Sequence, residues 1–128
     1  MRLLFVDDCA DLRVLVSRWL GSIPCYEVDI ASDGLAALRK FKSGRYDAVL
    51  LDQDMPGLDG FSAAREIRSW EAARRLPSTP IIALTASDRP RDVREGMAAG
   101  WTAHLAKPVL LPVLLAAVRR WTSGGLSA

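Results

Sequence analysis

Polar residues stand where short apolar runs stop: Asp7-Asp8 after Leu3-Leu4-Phe5-Val6, Asp52 after Ala48-Val49-Leu50-Leu51, Thr85 after Ile81-Ile82-Ala83-Leu84, and Lys107 shortly after Ala103-His104-Leu105. Carboxylates gathered in one place repel, by roughly 4 kcal/mol for two charges about 4 Å apart at an effective dielectric of about 20. Such a group must take up protons or gather cations. A hard divalent ion with oxygen ligands suits it, Mg²⁺ above all with Mn²⁺ as the alternative, and that ion keeps several waters. Nitrogen and sulfur ligands are too few for zinc or copper, because His104 is the single histidine and Cys9 and Cys25 are the two cysteines. Lysine is scarce in this arginine-rich chain, with only Lys40, Lys42 and Lys107. An ammonium beside the carboxylates would neutralise charge there.

For these residues to meet, the runs that carry them must lie side by side and point the same way. Those runs and Tyr26-Glu27-Val28-Asp29-Ile30 read as strands. Runs 3–6, 48–51 and 81–84 are almost continuously apolar, as strands covered on both faces are; 26–30 is polar at alternate positions and reads as an edge. Helical segments alternate with them. Leu12, Leu15, Val16, Trp19 and Leu20 recur at helical spacing before Gly21 and Pro24, and Asp33-Gly34 opens a second helix with Leu35, Leu38 and Phe41 inward and Gly44 closing it. A third is expected over 60–70 through Phe61, Ala64, Ile67 and Arg68, followed by a surface tail and loop over 70–80. A fourth follows Pro90 with Val93 and Met97 inward and Gly100 as its cap, and a fifth starts at Pro112 and ends near Trp121. Five βα units predict an α/β fold: a doubly wound, five-stranded parallel sheet of order 2-1-3-4-5. In that order the first and third strands are neighbours, and ligands bind outside the carboxyl ends of the strands, where the polar residues stand.

The chain has 128 residues, 50% of them hydrophobic and 25% charged, with a formal net charge of +2. That is the size and composition of one folded domain, expected over 1–122 with a flexible tail at 123–128. No apolar run reaches the ~18–20 residues of a membrane span, so no membrane insertion is expected. Acidic Asp7-Asp8 follows the first apolar run directly, unlike a secretory leader. The arginines are spread over several segments, which gives no basic patch for direct nucleic-acid binding. Two cysteines fit a reducing cytoplasm, and Cys9 and Cys25 should lie some 20 Å apart at opposite ends of the first helix, too far to bridge.

The set Val6-Asp7-Asp8, Asp52-Gln53-Asp54-Met55-Pro56-Gly57-Leu58-Asp59-Gly60, Leu84-Thr85-Ala86 and Lys107-Pro108 resembles the receiver domain of two-component response regulators. Arg13 and the pattern Ala31-x-Asp33-Gly34-x-x-Ala37-Leu38 agree. The likeness is to chemotaxis-regulator-like receivers, and the run 80–86 is similar to receivers within hybrid sensor kinases. It implies a flavodoxin-like (βα)5 fold and a signalling phosphoacceptor rather than an enzyme acting on a substrate. It further implies that Asp52 accepts a phosphoryl group from a phosphohistidine on a partner sensor histidine kinase or histidine phosphotransfer protein. Asp8, Asp52 and the backbone carbonyl of Asp54 would ligate Mg²⁺, with Asp7 acting through water. Lys107, the Thr85 hydroxyl and the Ala86 N–H would meet the phosphoryl oxygens, and Lys107-Pro108 would be a cis peptide. Thr85 and His104, which stands where receivers carry tyrosine or phenylalanine, would switch the face of helix four, strand five and helix five. Asp11, Leu12, Leu15 and Pro108 are the docking candidates for the donor.

Asp54, two residues past Asp52, is expected to alter the phosphoryl lifetime, by orienting water or by repelling the donor. The fifth helix carries more apolar residues than one face can bury, Leu110, Leu111, Val113, Leu114 and Leu115 among them. An apolar face for a homodimer or an effector is therefore expected there. Other function classes share parts of the pattern. The run Val49-Leu50-Leu51-Asp52-Gln53-Asp54 has the Asp-x-Asp start of a haloacid-dehalogenase-type phosphatase, from which Met55-Pro56 departs. A flavin protein of the same topology would meet repulsion between its cofactor phosphate and Asp7-Asp8.

Overall fold

Strand and helix alternate throughout the computed structural model, which describes residues 1–87 and 89–122; the expected tail at 123–128 lies outside the described residues. The elements are β1 (Arg2–Val6), α1 (Ala10–Gly21), β2 (Glu27–Ala31), α2 (Gly34–Ser43), β3 (Ala48–Asp52), α3 (Gly60–Ala73), β4 (Ile81–Thr85), α4 (Pro90–Ala99), β5 (Ala103–Ala106) and α5 (Leu111–Thr122). All strand pairs are parallel, in the order β2-β1-β3-β4-β5 expected from the sequence.

Successive strand residues point to opposite faces, and the central strands are buried on both. Leu4, Val6, Val49, Leu51, Ile81 and Ala83 meet Ala37, Phe41, Ala64, Ile67 and Ala99 of α2, α3 and α4. Leu3, Phe5, Leu50, Ile82 and Leu84 meet Val16 and Leu20 of α1 and Leu114 and Val118 of α5. Hence the unbroken apolar runs. β2 forms one edge, as its alternation implied, and β5 the other. The Asp33 carboxylate accepts the Ala36 N–H at 2.8 Å to open α2, and the Asp59 carboxylate accepts that of Ser62 at 2.8 Å to open α3. Cys9 and Cys25 are unpaired at the two ends of α1.

Three expectations about the helices are corrected. Leu35 does not face inward but is 60% exposed, and Ala37 takes the place against the sheet. In α4 the buried residues are Gly96 and Ala99, while Met97 is 47% exposed and Val93 half-buried. Small residues are required on that side because the Trp101 ring lies over Gly96, where a Cβ would overlap it. Finally, α3 continues through Ala73 instead of giving way to a loop at Trp70. Its inward positions run Gly60, Ala63, Ala64, Ile67 and Glu71. A buried glutamate breaks the apolar pattern without breaking the helix, because its charge is met. Glu71 Oε1 accepts from Arg68 Nη1 at 2.7 Å and Oε2 from the Thr79 N–H at 2.8 Å.

Below the sheet, Arg2 Nη2 and the Tyr46 hydroxyl both donate to Asp29 Oδ2, each at 2.7 Å, with the guanidinium 5.0 Å from the Tyr46 ring centre. Burial, followed by the Asp29 hydrogen bond, pushes the Tyr46 phenol from 10.0 up to about 12. The folded state thus favours the neutral phenol. That contribution is complete below about pH 10 and disappears as pH rises through about 12. Tyrosinate absorbance should show a step near pH 12 that Tyr46→Phe removes; a profile unchanged by the substitution would count against this account.

Candidate functional site

A parallel sheet places every strand's carboxyl end on one rim. Val6 pairs with Leu51 across β1 and β3, so Asp7 and Asp52 follow side by side. Asp7, Asp8 and Asp52 offer carboxylate oxygens that all lie within 4.8 Å of one another. Asp7 is 2% exposed and Asp52 1%, while Asp8 opens to solvent. Each buried acid is half satisfied. Asp7 Oδ1 accepts the Cys9 N–H at 2.9 Å, and Asp52 Oδ1 accepts from Lys107 Nζ at 2.5 Å and from the Asp54 N–H at 3.2 Å. The second oxygens, Asp7 Oδ2 and Asp52 Oδ2, are buried and have no hydrogen-bond partner. Arg13 Nη1 donates to the Asp7 carbonyl at 2.7 Å, tying the end of β1 to α1.

Burial raises the Asp52 carboxyl above its ordinary value, and the charge of Asp7 adds to this; Lys107 and the Asp54 N–H oppose it without prevailing. Burial also works against the Lys107 ammonium, but Asp52, by hydrogen bond and charge, and Asp7 and Asp54, by charge, outweigh it and leave its value raised. Lys107 therefore stays protonated. The pocket as a whole calls for positive charge. Hard oxygen donors with two buried lone-pair sites left open fit a divalent cation such as Mg²⁺.

The pattern of the response regulator receiver domain matches residues 3–119. The chain belongs to that family.

Among relatives, the sensor protein GacS of Pseudomonas syringae pv. syringae is 37% identical over 121 residues, 94% of this chain. The chain spans 13% of that sensor protein's length. Chemotaxis protein CheY4 of Vibrio cholerae superposes with a TM-score of 0.85 at 35% identity, covering 94% of this chain and 97% of that one. The receiver domain of the Pseudomonas aeruginosa sensor histidine kinase PA1611, solved with magnesium coordinated in its active-site cleft, gives a TM-score of 0.80 at 38% identity over 95% of this chain and 97% of that one.

The receiver places its remaining candidate residues unevenly around the acids. The Lys107-Pro108 peptide is cis, as expected. Thr85 ends β4 on the same rim and is buried, yet its hydroxyl donates to the Ser87 carbonyl and accepts the Ser87 N–H, both at 3.1 Å. Ala86 follows, exposed. His104 is half-buried and lines a groove of about 560 Å³ between α4, β5 and α5, together with Met97, Leu105, Val113 and Trp121. It does not line the cleft beside Asp7 and Asp8. That cleft, about 500 Å³, runs between α1 and α5, walled by Asp7, Asp8, Leu12, Val16, Lys107, Pro108 and Leu114, and Asp52 is not part of its lining. Leu15 stands exposed on α1, as does Asp11. Among the described residues no helix is long and apolar enough to cross a membrane.

Sequence reasoning missed the residues that hold the rim in shape. Arg13 was noted only as part of a pattern, and its bond to the Asp7 carbonyl gives it a role. Gly60 entered only as the end of a motif and Trp101 gave no signal, although the indole N–H of Trp101 donates to the Gly60 carbonyl at 3.2 Å. A tryptophan following glycine between a helix and a strand was the available hint.

Proposed function

We propose that this receiver is a stoichiometric phosphoacceptor in two-component or phosphorelay signalling, with Asp52 as the nucleophile. The observation that carries the reading is a buried carboxylate with one oxygen on Lys107 and the other unpartnered, beside two further acids. A carboxylate oxygen of Asp52 forms a bond to phosphorus while the P–N bond to a donor imidazole breaks. The electron pair of that bond stays on the imidazole nitrogen; with its other ring nitrogen already protonated in the phosphorylated donor, the ring leaves as neutral histidine. Phosphoryl transfer of this kind needs positioning and charge neutralisation more than acid–base chemistry. Lys107 supplies a fixed ammonium at the accepting oxygen. Asp7, Asp8, Asp52 and the Asp54 carbonyl would hold Mg²⁺, or Mn²⁺ in its place, and bound metal supplies positive charge to the phosphoryl oxygens.

The Thr85 hydroxyl must leave Ser87 to reach a phosphoryl oxygen, and the Ala86 N–H offers a second donor. That exchange is the proposed switch, with His104 facing the α4–β5–α5 groove where an effector or a second copy would bind. Leu12 and Pro108 of the cleft, with Asp11 and Leu15 exposed on α1, are the docking residues for a sensor histidine kinase or a phosphotransfer protein. Unpaired cysteines agree with a cytoplasmic setting, where we place the chain. Acetyl phosphate with Mg²⁺ should add one phosphoryl mass, mapped to the peptide carrying Asp52. An adduct on another residue, or turnover of many equivalents of a phosphomonoester, would sink the reading. A chain that stays monomeric with beryllofluoride bound would remove the homodimer.

Asp54 is exposed, with its N–H turned in to Asp52 and its side chain left free to act on water at the rim. Asp54→Asn should change the half-life of the phosphorylated form severalfold while leaving the adduct on Asp52. Equal half-lives, followed by phosphate release, would show that the carboxylate plays no part.

A further inference from the structure

Trp101 lies at the turn from α4 into β5 and is only 3% exposed. Its ring stacks on Phe61 in the first turn of α3, with centres 5.0 Å apart and planes 12° from parallel. The indole also covers Gly96, and its N–H donates to the Gly60 carbonyl at 3.2 Å. Gly60 is itself pressed against the acid-bearing strand. Its own N–H donates to the Gln53 carbonyl at 3.1 Å, and a Cβ there would come within 2.7 Å of Gln53 Cα and 2.9 Å of the Asp52 carbonyl. The segment 53–60 is therefore a closed loop, tied at its neck by Gly60 and clamped from outside by Trp101. Asp54 lies within it.

We propose that Trp101 is a positioning residue for the cation-holding loop. Its indole N–H holds Gly60, and through Gly60 the segment 53–60, in the shape that offers the Asp54 main-chain carbonyl to Mg²⁺. The proposal rests on reading the acid pocket as a Mg²⁺ site. Ring stacking alone does not supply this function; a phenylalanine, though smaller than the indole, keeps an aromatic ring beside Phe61 but leaves the Gly60 carbonyl without its donor. Linkage is reciprocal, so Mg²⁺ that favours one loop shape also shifts the surroundings of Trp101, and with them the turn that leads into β5 and His104.

The test is a MgCl₂ titration of the wild type and Trp101→Phe, followed by the amide resonances of Asp7, Asp8 and Asp52. The variant should bind Mg²⁺ about three- to tenfold more weakly, the equilibrium equivalent of one neutral hydrogen bond. A merely structural tryptophan would lower the thermal midpoint and leave that affinity alone. A second readout needs no variant: in the wild type the indole N–H of Trp101, the most buried of the four tryptophans, should shift as Mg²⁺ saturates. Equal affinities in a folded Trp101→Phe chain, or an unmoved indole resonance in the saturated wild type, overturn the proposal. A wild type that binds no Mg²⁺ overturns the acid-pocket reading itself, and the proposal with it.

Discussion

Asp52→Asn should lose phosphorylation by about a thousandfold or more while remaining folded, because the substitution removes the proposed nucleophile and little else. The amide oxygen that replaces Oδ1 carries no charge with which to attack phosphorus. Stability should hold or rise. The wild-type carboxylate is 1% exposed, raised above its ordinary value by burial and by Asp7, and has one oxygen without a partner. A neutral isostere relieves that repulsion. Lys107 loses its ion pair but is 30% exposed, enough to reach water. Lys107→Ala makes the instructive contrast: it should slow transfer by about 10²–10³-fold, the usual cost of removing one preorganised charge-stabilising donor, without abolishing it. Mass spectrometry after acetyl phosphate and Mg²⁺, beside thermal melts, separates these outcomes. Undiminished adduct in folded Asp52→Asn would move the acceptor to another acid.

Gly96→Ala should destabilise the domain by about 3 kcal/mol, although alanine is the better helix former by about 1 kcal/mol. Gly96 lies inside α4 with the Trp101 ring against it, and any Cβ would overlap ring carbons. Neither wall yields easily, since the ring is stacked on Phe61 and bonded to Gly60. Pairing the change with Trp101→Leu should recover about 2 kcal/mol relative to the sum of the single effects, as expected for residues that share one space. Gly21 serves as the control, because a Cβ there meets nothing within 4 Å. Urea unfolding of the four chains of the cycle is the measurement. Additive effects would mean that the ring does not set the identity of residue 96.

Much of this molecule was legible from local rules. Apolar runs flanked by helical repeats implied a parallel sheet, and the alternation in β2 implied its place at an edge. Once the strands are parallel, residues that end them share a rim, so Asp7, Asp8, Asp52, Thr85 and Lys107 could be expected together. Other features were hidden because the determining contact is remote in the chain. The C-terminal part of α3 escaped detection because Glu71, an inward residue, is charged and satisfied by Arg68 and by the Thr79 N–H beyond the helix. Met97 was expected inside because it is apolar at helical spacing, yet Trp101 claims the space beneath α4 and turns Met97 toward the groove with α5.

By itself, then, the order of residues determined the strand order, the common rim and which acids meet there, because periodicity and strand ends are properties of neighbouring positions. Tertiary structure alone decided which oxygens are left unpartnered, that the Thr85 hydroxyl turns to Ser87, and that an indole five residues from Gly96 and forty-one from Gly60 clamps both. Those depend on how surfaces meet across the fold, where packing density leaves room for one arrangement and no sequence spacing announces it.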